Sequence, residues 1–519
     1  MSLSECFTYI SAKAGADPVR LVFLCAPAGS CETLEATTEF ARASGWVRAV
    51  EDGGAALVAP VVPGGWAAAP KGLLHSLYGE ARGYFRVAEG RGIPGKNDVA
   101  WVWEVLLGLV GYGEGACFAA DYVAAHPSFC AASVLVGGQM SDFSVLNEPS
   151  DHWFVAEPSE FYAAPANKDV PVAVWFIGEA ADEATVAALA RRGAPEGCVR
   201  VDADDVSAEE GFAARALDYL SHAIRWKSGP DGRLAWHHTA AEFDVGNTYH
   251  HRSVTLRGIE YPYALHLPCG MSTDDARDLP LVLSIHGRGE PAWIFSDKNG
   301  WERLADETRG FAVALPDSPG NIWMDSRDAG VAAAVAADAV GAFGLDASRV
   351  YITGFSNGAV YTAQQATAHP ENFAAASSWN GPGLEAVAAG GMGDHVFAEG
   401  FARSAAEMPF WICFGSADGP QCRDHEGDLA HVLAPNGCCG DDAVVWDGDN
   451  HYLKEFGYAE GDRLTSRVFM DAEGCPRVGI TEVRDLPHGA IADEARAAWE
   501  FMKRFRRPEG SCKVEVLES

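Results

Sequence analysis

Three side chains in the second half of this chain have the types and the order that nucleophilic acyl transfer needs. Ser356 is the centre of Gly354-Phe355-Ser356-Asn357-Gly358, directly after SRVYIT and directly before AVYTAQQATA, which places it on a strand-to-helix turn. Glycines must flank such a serine, because side chains there would collide with the neighbouring strand and helix. The hydroxyl is then held above the sheet, beside the N–H groups of the helix's first turn. Asp418 follows the apolar run FWICF, and His488 lies in RDLPHG, just ahead of the last amphipathic pattern. In that order the three read as nucleophile, orienting acid and general base, each at the C-terminal end of a strand.

An acyl transfer also needs donors for the oxyanion. His286-Gly287-Arg288-Gly289 ends the strand-like LVLSI, so the backbone around Gly287 and Arg288 is expected to supply one N–H and Asn357 the other. Loss of one such donor typically costs ~10²–10³ in turnover. His286, Trp323 and the pair Trp379-Asn380 are candidates for a substrate pocket, with Trp301 on a nearby loop. His237-His238 and His250-His251 lack the ligand spacing of a metal site. Cys438-Cys439 is a weak candidate for a vicinal disulfide or metal site. No metal and no cofactor are expected.

The elements that would position these residues occur twice. GFSNG with AVYTAQQATAHP is matched by GYGEG (111 to 115) with ACFAADYVAAHP. LVFLCAPAG (21 to 29) parallels LVLSIHGRG (281 to 289), and VPVAVWFIGEAAD (170 to 182) parallels MPFWICFGSAD (408 to 418). SGWVRAVEDGGAALVAPVVPGGW (44 to 66) parallels NGWERLADETRGFAVALPDSPGNIW (299 to 323), so Trp66 answers to Trp323. One apolar stripe closes each half: Phe212, Ala216, Tyr219, Ala223 and Trp226, then Ile491, Ala495, Ala498, Met502 and Phe505. The strand-like runs lack polar alternation, as strands buried on both faces of a parallel sheet should, and they alternate with helical patterns. In the first copy Gly113 stands for Ser356, Ala26-Pro27 for His286-Gly287, Ala181 (with Asp182 next) for Asp418, and Glu209 for His488. A proline has no N–H to donate. The first copy is therefore expected to keep the fold and to lack the chemistry, serving as a packing partner, a dimer surface or a restriction on access to Ser356.

The 519 residues exceed one ordinary core. With 39 basic and 72 acidic residues the net charge is −33, a field that repels phosphate backbones and anionic headgroups. Neither nucleic acid nor a membrane is expected as a partner; a small-molecule ester is, and a homo-oligomer is left open. No apolar run has the ~20 residues of a membrane span, and the start lacks a signal-peptide pattern. The 13 cysteines show no framework spacing. A cytoplasmic location is the expectation.

YHHRSVTLRGIEYPYALHLPCG, LPLVLSIHGRG, GFSNG, FGSADG and LPHG together resemble the polyhydroxybutyrate depolymerase-like esterases, an α/β-hydrolase group that includes feruloyl and acetylxylan esterases. The resemblance covers about residues 245 to 508. It implies carboxylic-ester hydrolysis through an acyl-serine without a cofactor, on a small soluble ester rather than a polymer. The expected fold class is α/β, as two tandem α/β-hydrolase-like domains, each a mostly parallel doubly wound sheet flanked by helices. The expected layout is a degenerate domain at 1–227, a linker at 228–244, a catalytic domain at 245–508 and a tail at 509–519. The stretch 422–477 is expected to be a lid or a β-hairpin excursion. A serine peptidase of prolyl-oligopeptidase type and a non-catalytic scaffold are the alternatives.

Overall fold

The computed structural model describes residues 2–15, 17–92, 97–150, 166–178, 183–190, 195, 197–226, 234–236, 249–383, 406–438, 444–446, 464–490 and 494–517. The chain divides into two compact units, Met1–Phe243 and Asp244–Ser519. Both are α/β, with helices packed on a mixed sheet.

In the first unit the sheet strands are β1 (Phe7–Ile10), β2 (Leu21–Cys25), β3 (Ala56–Ala59), β4 (Gly108–Tyr112), β5 (Ala132–Val136), β6 (Ala173–Ile177) and β7 (Val199–Asp202). They lie in the order β1-β3-β2-β4-β5-β6-β7. β1 runs antiparallel to β3, and the other pairs are parallel. Every residue of β2 to β6 is buried, as the unbroken apolar runs require when helices cover both faces.

The second unit begins with a hairpin, β10 (Tyr249–Leu256) and β11 (Ile259–His266), turned by Arg257 at φ 51° and Gly258 at φ 80°. Two positive-φ residues give the primed turn that suits the natural strand twist. β12 (Leu281–Ile285), β13 (Ala312–Pro316), β14 (Val350–Phe355), β15 (Ala375–Trp379), β16 (Phe410–Gly415), β17 (Val444–Trp446), β18 (Leu464–Met470) and β19 (Pro476–Val483) complete the sheet. The order is β10-β11-β13-β12-β14-β15-β16-β19-β18-β17. Its centre, β13 to β19, is parallel. β11 answers to β1, β12 to β2, and so on to β19 for β7, so one seven-strand order recurs in both units.

The stretch 422–477 enlarges this sheet: β17 and β18 continue it antiparallel from β19. Residues 447–463, which include all of HYLKEFGYAEGDR, lie outside the described residues. The seam also differs from the expected linker. Before it, β8 (Ala223–Arg225) pairs with β9 (Leu234–Trp236), so Leu234 to Trp236 belong to the first unit. Each closing helix is shorter than its stripe, Phe212–Ser221 and Glu494–Met502. Ala223 and Phe505 fall in short strands just beyond, buried all the same. Ile491 lies outside the described residues. The expected tail is folded back, with Glu515–Val516 paired to Phe505–Arg506.

Candidate active site

Ser356 links β14 to the helix Asn357–Ala368 at φ 55°, ψ −116°, a conformation that strains a residue with a side chain. The flanking glycines explain how the chain can turn so tightly. A Cβ on Gly354 would lie 2.3 Å from the carbonyl oxygen of Gly358, and one on Gly358 would lie 2.4 Å from those of Ile285 and His286. The serine hydroxyl makes no capping bond to its own helix. It faces His488 instead, with Ser356 Oγ 3.0 Å from His488 Nε2. His488 Nδ1 is 2.9 Å from Asp418 Oδ2. The loops after β14, β16 and β19 thus bring the three sequence-predicted residues together at the C-terminal edge of the parallel strands.

Asp418 is buried and the imidazole half-exposed, so the acid sits beneath the base and the serine faces outward. The Asp418 carboxylate also accepts the Gly419 N–H at 2.6 Å and the Asn380 side-chain amide at 3.3 Å. Burial, helped by the charge of Asp418, pushes the neighbouring Cys422 thiol up to about 12, so it stays protonated beside that carboxylate. Phe355 lays its ring 5.0 Å from that of His488. Among the described residues, Asp418, Cys422 and His488 form the one group with donor atoms close enough for a metal ion. The hydrogen bond between His488 and Asp418 already joins two of its members.

The oxyanion loop departs from expectation at Gly287. Its N–H donates to Glu290 Oε2 at 2.9 Å, so a buried carboxylate already takes it up. Glu290 is in turn paired with Lys298 at 3.0 Å, and the ammonium lies 3.5 Å over the Phe355 ring. Arg288 is exposed at the end of the same loop. Asn357 is the first residue of its helix, where a backbone N–H has no intrahelical acceptor. Its side chain clips the backbone of Trp323, accepting from N at 2.7 Å and donating to O at 3.1 Å.

The pocket candidates are corrected. His286, Trp323 and Trp379 are all 0% exposed, as is Trp301. Trp323 stacks on Tyr361 with centroids 4.6 Å apart, and its counterpart Trp66 stacks on Phe118 at 4.7 Å. A contact repeated in the unit without the serine serves packing. Trp379 donates its ring N–H to Thr353 and Ser377 within the sheet. His286 bonds Gly287 O at 2.7 Å. His251 is exposed on the edge strand β10, whereas His237, His238 and Cys439 lie outside the described residues.

The first unit repeats the turn without the groups. Gly113 has φ 55°, ψ −122°. Strand register aligns Asp202 with Thr481 through their pairings to Ile177 and Cys413, and the same count onward puts Glu209 opposite His488. Glu209 pairs with Arg215 at 2.8 Å on the surface. Ala181 and Asp182, the sequence counterparts of Asp418, lie outside the described residues.

Sequence reasoning placed Asn380 with Trp379 in a pocket, whereas it is buried and bonded to Asp418 and Pro487, and it missed Glu290, Lys298 and Cys422. Strand register sets Asn380 opposite Gly137 of the first unit.

Residues 261–390 match the family model described as Esterase PHB depolymerase, about a quarter of the chain. NocK of Nocardia uniformis subsp. tsuyamanensis, whose name marks it as an inferred esterase, is 30% identical over 139 residues, 24% of this chain and 40% of that protein. The chain thus spans well under half the length of that curated relative. Among solved structures, the acetyl xylan esterase from Aspergillus awamori is 16% identical, with 47% of this chain and 94% of that one covered at a TM-score of 0.35. Esterase 2 of Thermogutta terrifontis is 13% identical, with 49% and 92% covered at 0.30. The family match supports an ester hydrolase. No helix among the described residues is long and apolar enough to cross a membrane.

Proposed function

We propose that the second unit is a serine carboxylesterase acting on a small soluble ester through an acyl-serine, and that the first is a tandem, non-catalytic copy of the same α/β-hydrolase fold. The supporting observation is the pair of contacts, Ser356 to His488 at 3.0 Å and His488 to Asp418 at 2.9 Å, set on a strained turn. His488 Nε2 takes the hydroxyl proton as Ser356 Oγ attacks the ester carbonyl. Asp418 holds the imidazole through Nδ1 and stabilises its cation. The Asn357 N–H, at the positive end of its helix, meets the developing oxyanion, together with a donor from the Arg288 loop. The imidazolium then protonates the departing alcohol. Water, deprotonated by the same ring, releases the acid and restores the serine.

For the first unit the support is the loss of a hydroxyl at 113 and of an imidazole at 209, with the backbone of the turn kept. Ser356→Ala should lower p-nitrophenyl acetate turnover by at least about 10⁴-fold with an unchanged circular-dichroism spectrum. A fluorophosphonate probe should label wild-type chains once and the variant not at all. Labelling that survives the substitution would refute both parts.

A further inference from the structure

The amide of Asn380, we infer, is a positioning device for the triad: it clamps the loop carrying the acid to the loop carrying the base. The inference rests on the hydrolase reading above and adds to it a residue that touches neither substrate nor reacting atom. Asn380 follows β15 directly and is 0% exposed. Its backbone N–H donates to Cys413 O at 2.8 Å, which fixes it between β15 and β16. One side-chain nitrogen donates twice, to Asp418 Oδ2 at 3.3 Å and to Pro487 O at 3.2 Å. Both partners only accept, so the nitrogen must face them, and its two hydrogens match two acceptors. Pro487 immediately precedes His488. The same amide therefore restrains the carboxylate that orients the imidazole and the peptide that carries it.

The backbone sharpens the case. Asn380 has φ 47°, in the left-handed region where a side chain is disfavoured. The first unit holds Gly137 at this place, φ 72°, with the same N–H bond across to the next strand, at 3.0 Å to Ile177 O. Glycine meets the backbone demand where no triad exists. Asparagine is among the few other residues that tolerate it, and here it also brings an amide. Further bonds join the two loops, from Ala417 N to Leu486 O and from Asp485 N to the Ser416 hydroxyl, so the fold does not depend on Asn380.

The test compares Asn380→Gly and Asn380→Asp. Aspartate accepts the same backbone as asparagine, so a purely conformational role predicts Asn380→Asp close to wild type and Asn380→Gly no worse. The clamp predicts a kcat loss of about 10–100-fold for Asn380→Gly with KM within about twofold and the melting temperature unchanged. Asn380→Asp should lose more, because it sets a second carboxylate against Asp418. Proton NMR of the His488 Nδ1–H supplies a readout free of ester chemistry: the resonance should broaden or vanish in Asn380→Gly. Both variants within twofold of wild type, or an unchanged resonance in Asn380→Gly, would overturn the clamp. Activity that survives Ser356→Ala would instead sink the hydrolase reading, and the resonance would still decide on Asn380.

Discussion

Ser356 and Gly113 hold nearly one backbone conformation, φ 55°, ψ −116° and φ 55°, ψ −122°, although only the first has a side chain. The turn is thus built by the strands and helices around it, and the serine accepts a strain of order 1–3 kcal/mol. Ser356→Gly should relieve that strain, while the extra freedom of glycine in the unfolded chain offsets ~0.5–1 kcal/mol of the gain. The expected net is a stabilisation of about 1 kcal/mol in an inactive protein. Conversely, a Cβ on Gly113 meets nothing closer than Pro27 at 3.7 Å, so Gly113→Ala isolates the conformational cost. It should lose roughly 1–2 kcal/mol in denaturant unfolding with esterase activity kept. A loss of activity in Gly113→Ala would show that the first unit takes part in turnover.

The glycines two residues beyond the centre of each turn make a stronger prediction. A Cβ on Gly358 would meet two backbone oxygens at 2.4 Å, and one on Gly115 would meet those of Cys25 and Ala26 at 2.3 and 2.6 Å. Backbone cannot yield as a flexible side chain can. Each alanine substitution should therefore destabilise its own unit by more than ~3 kcal/mol. Gly358→Ala should abolish activity, whereas Gly115→Ala should move only a transition assigned to the first unit. Calorimetry with activity measured on the same samples separates the two.

The recurring strand order and the meeting of Ser356, Asp418 and His488 were legible because each rests on a strong local demand. Strands buried on both faces read as unbroken apolar runs, and covalent chemistry confines serine, acid and histidine to the ends of particular strands. The pocket candidates failed for the complementary reason: an aromatic residue after a strand suits a core as well as a cleft, and Trp323 stacks in the core just as Trp66 does. Loop spacing pointed to the turn at 286–289 but not to the carboxylate that captures the Gly287 N–H, since Glu290 and Lys298 have the composition of solvated surface. Asn380 was hidden because its role lies in a backbone angle and two long-range bonds, neither of which has a sequence period.

The buried pair Glu290–Lys298 should behave as a unit. Both residues are 6% exposed, 3.0 Å apart, and Glu290 also satisfies the Gly287 N–H. Glu290→Ala would leave an ammonium buried without its partner carboxylate and should cost about 3–5 kcal/mol. Lys298→Met alone would leave the carboxylate, among the described residues, with its Gly287 N–H bond and no ammonium. The double variant should lose less than the two single losses added together, and a double-mutant cycle by chemical unfolding measures that coupling. Additive losses would mean that the pair is incidental.

Glu302 gives the second unit a pH-dependent stability away from the triad. Its side chain is buried, and burial, reinforced by Asp297 and opposed by His266, pushes its pKa up from 4.5 to about 7. It accepts from the Ser296 hydroxyl at 2.6 Å and from the Tyr249 hydroxyl at 3.2 Å. Because the folded pKa is raised, the folded state binds a proton that the unfolded chain has released between about pH 4.5 and 7. The contribution of Glu302 is therefore fully present below about 4.5 and is lost as the pH rises through about 7, by up to roughly 3 kcal/mol. Glu302→Gln mimics the neutral acid, and both hydroxyl partners can rotate to donate or accept. It should leave stability at pH 5 nearly unchanged and raise it at pH 8, so that the fall between the two shrinks by that amount. Urea unfolding of the two proteins at both pH values checks this. Parallel pH dependences would show that Glu302 stays ionised when buried, held so by His266 and its two hydroxyl donors.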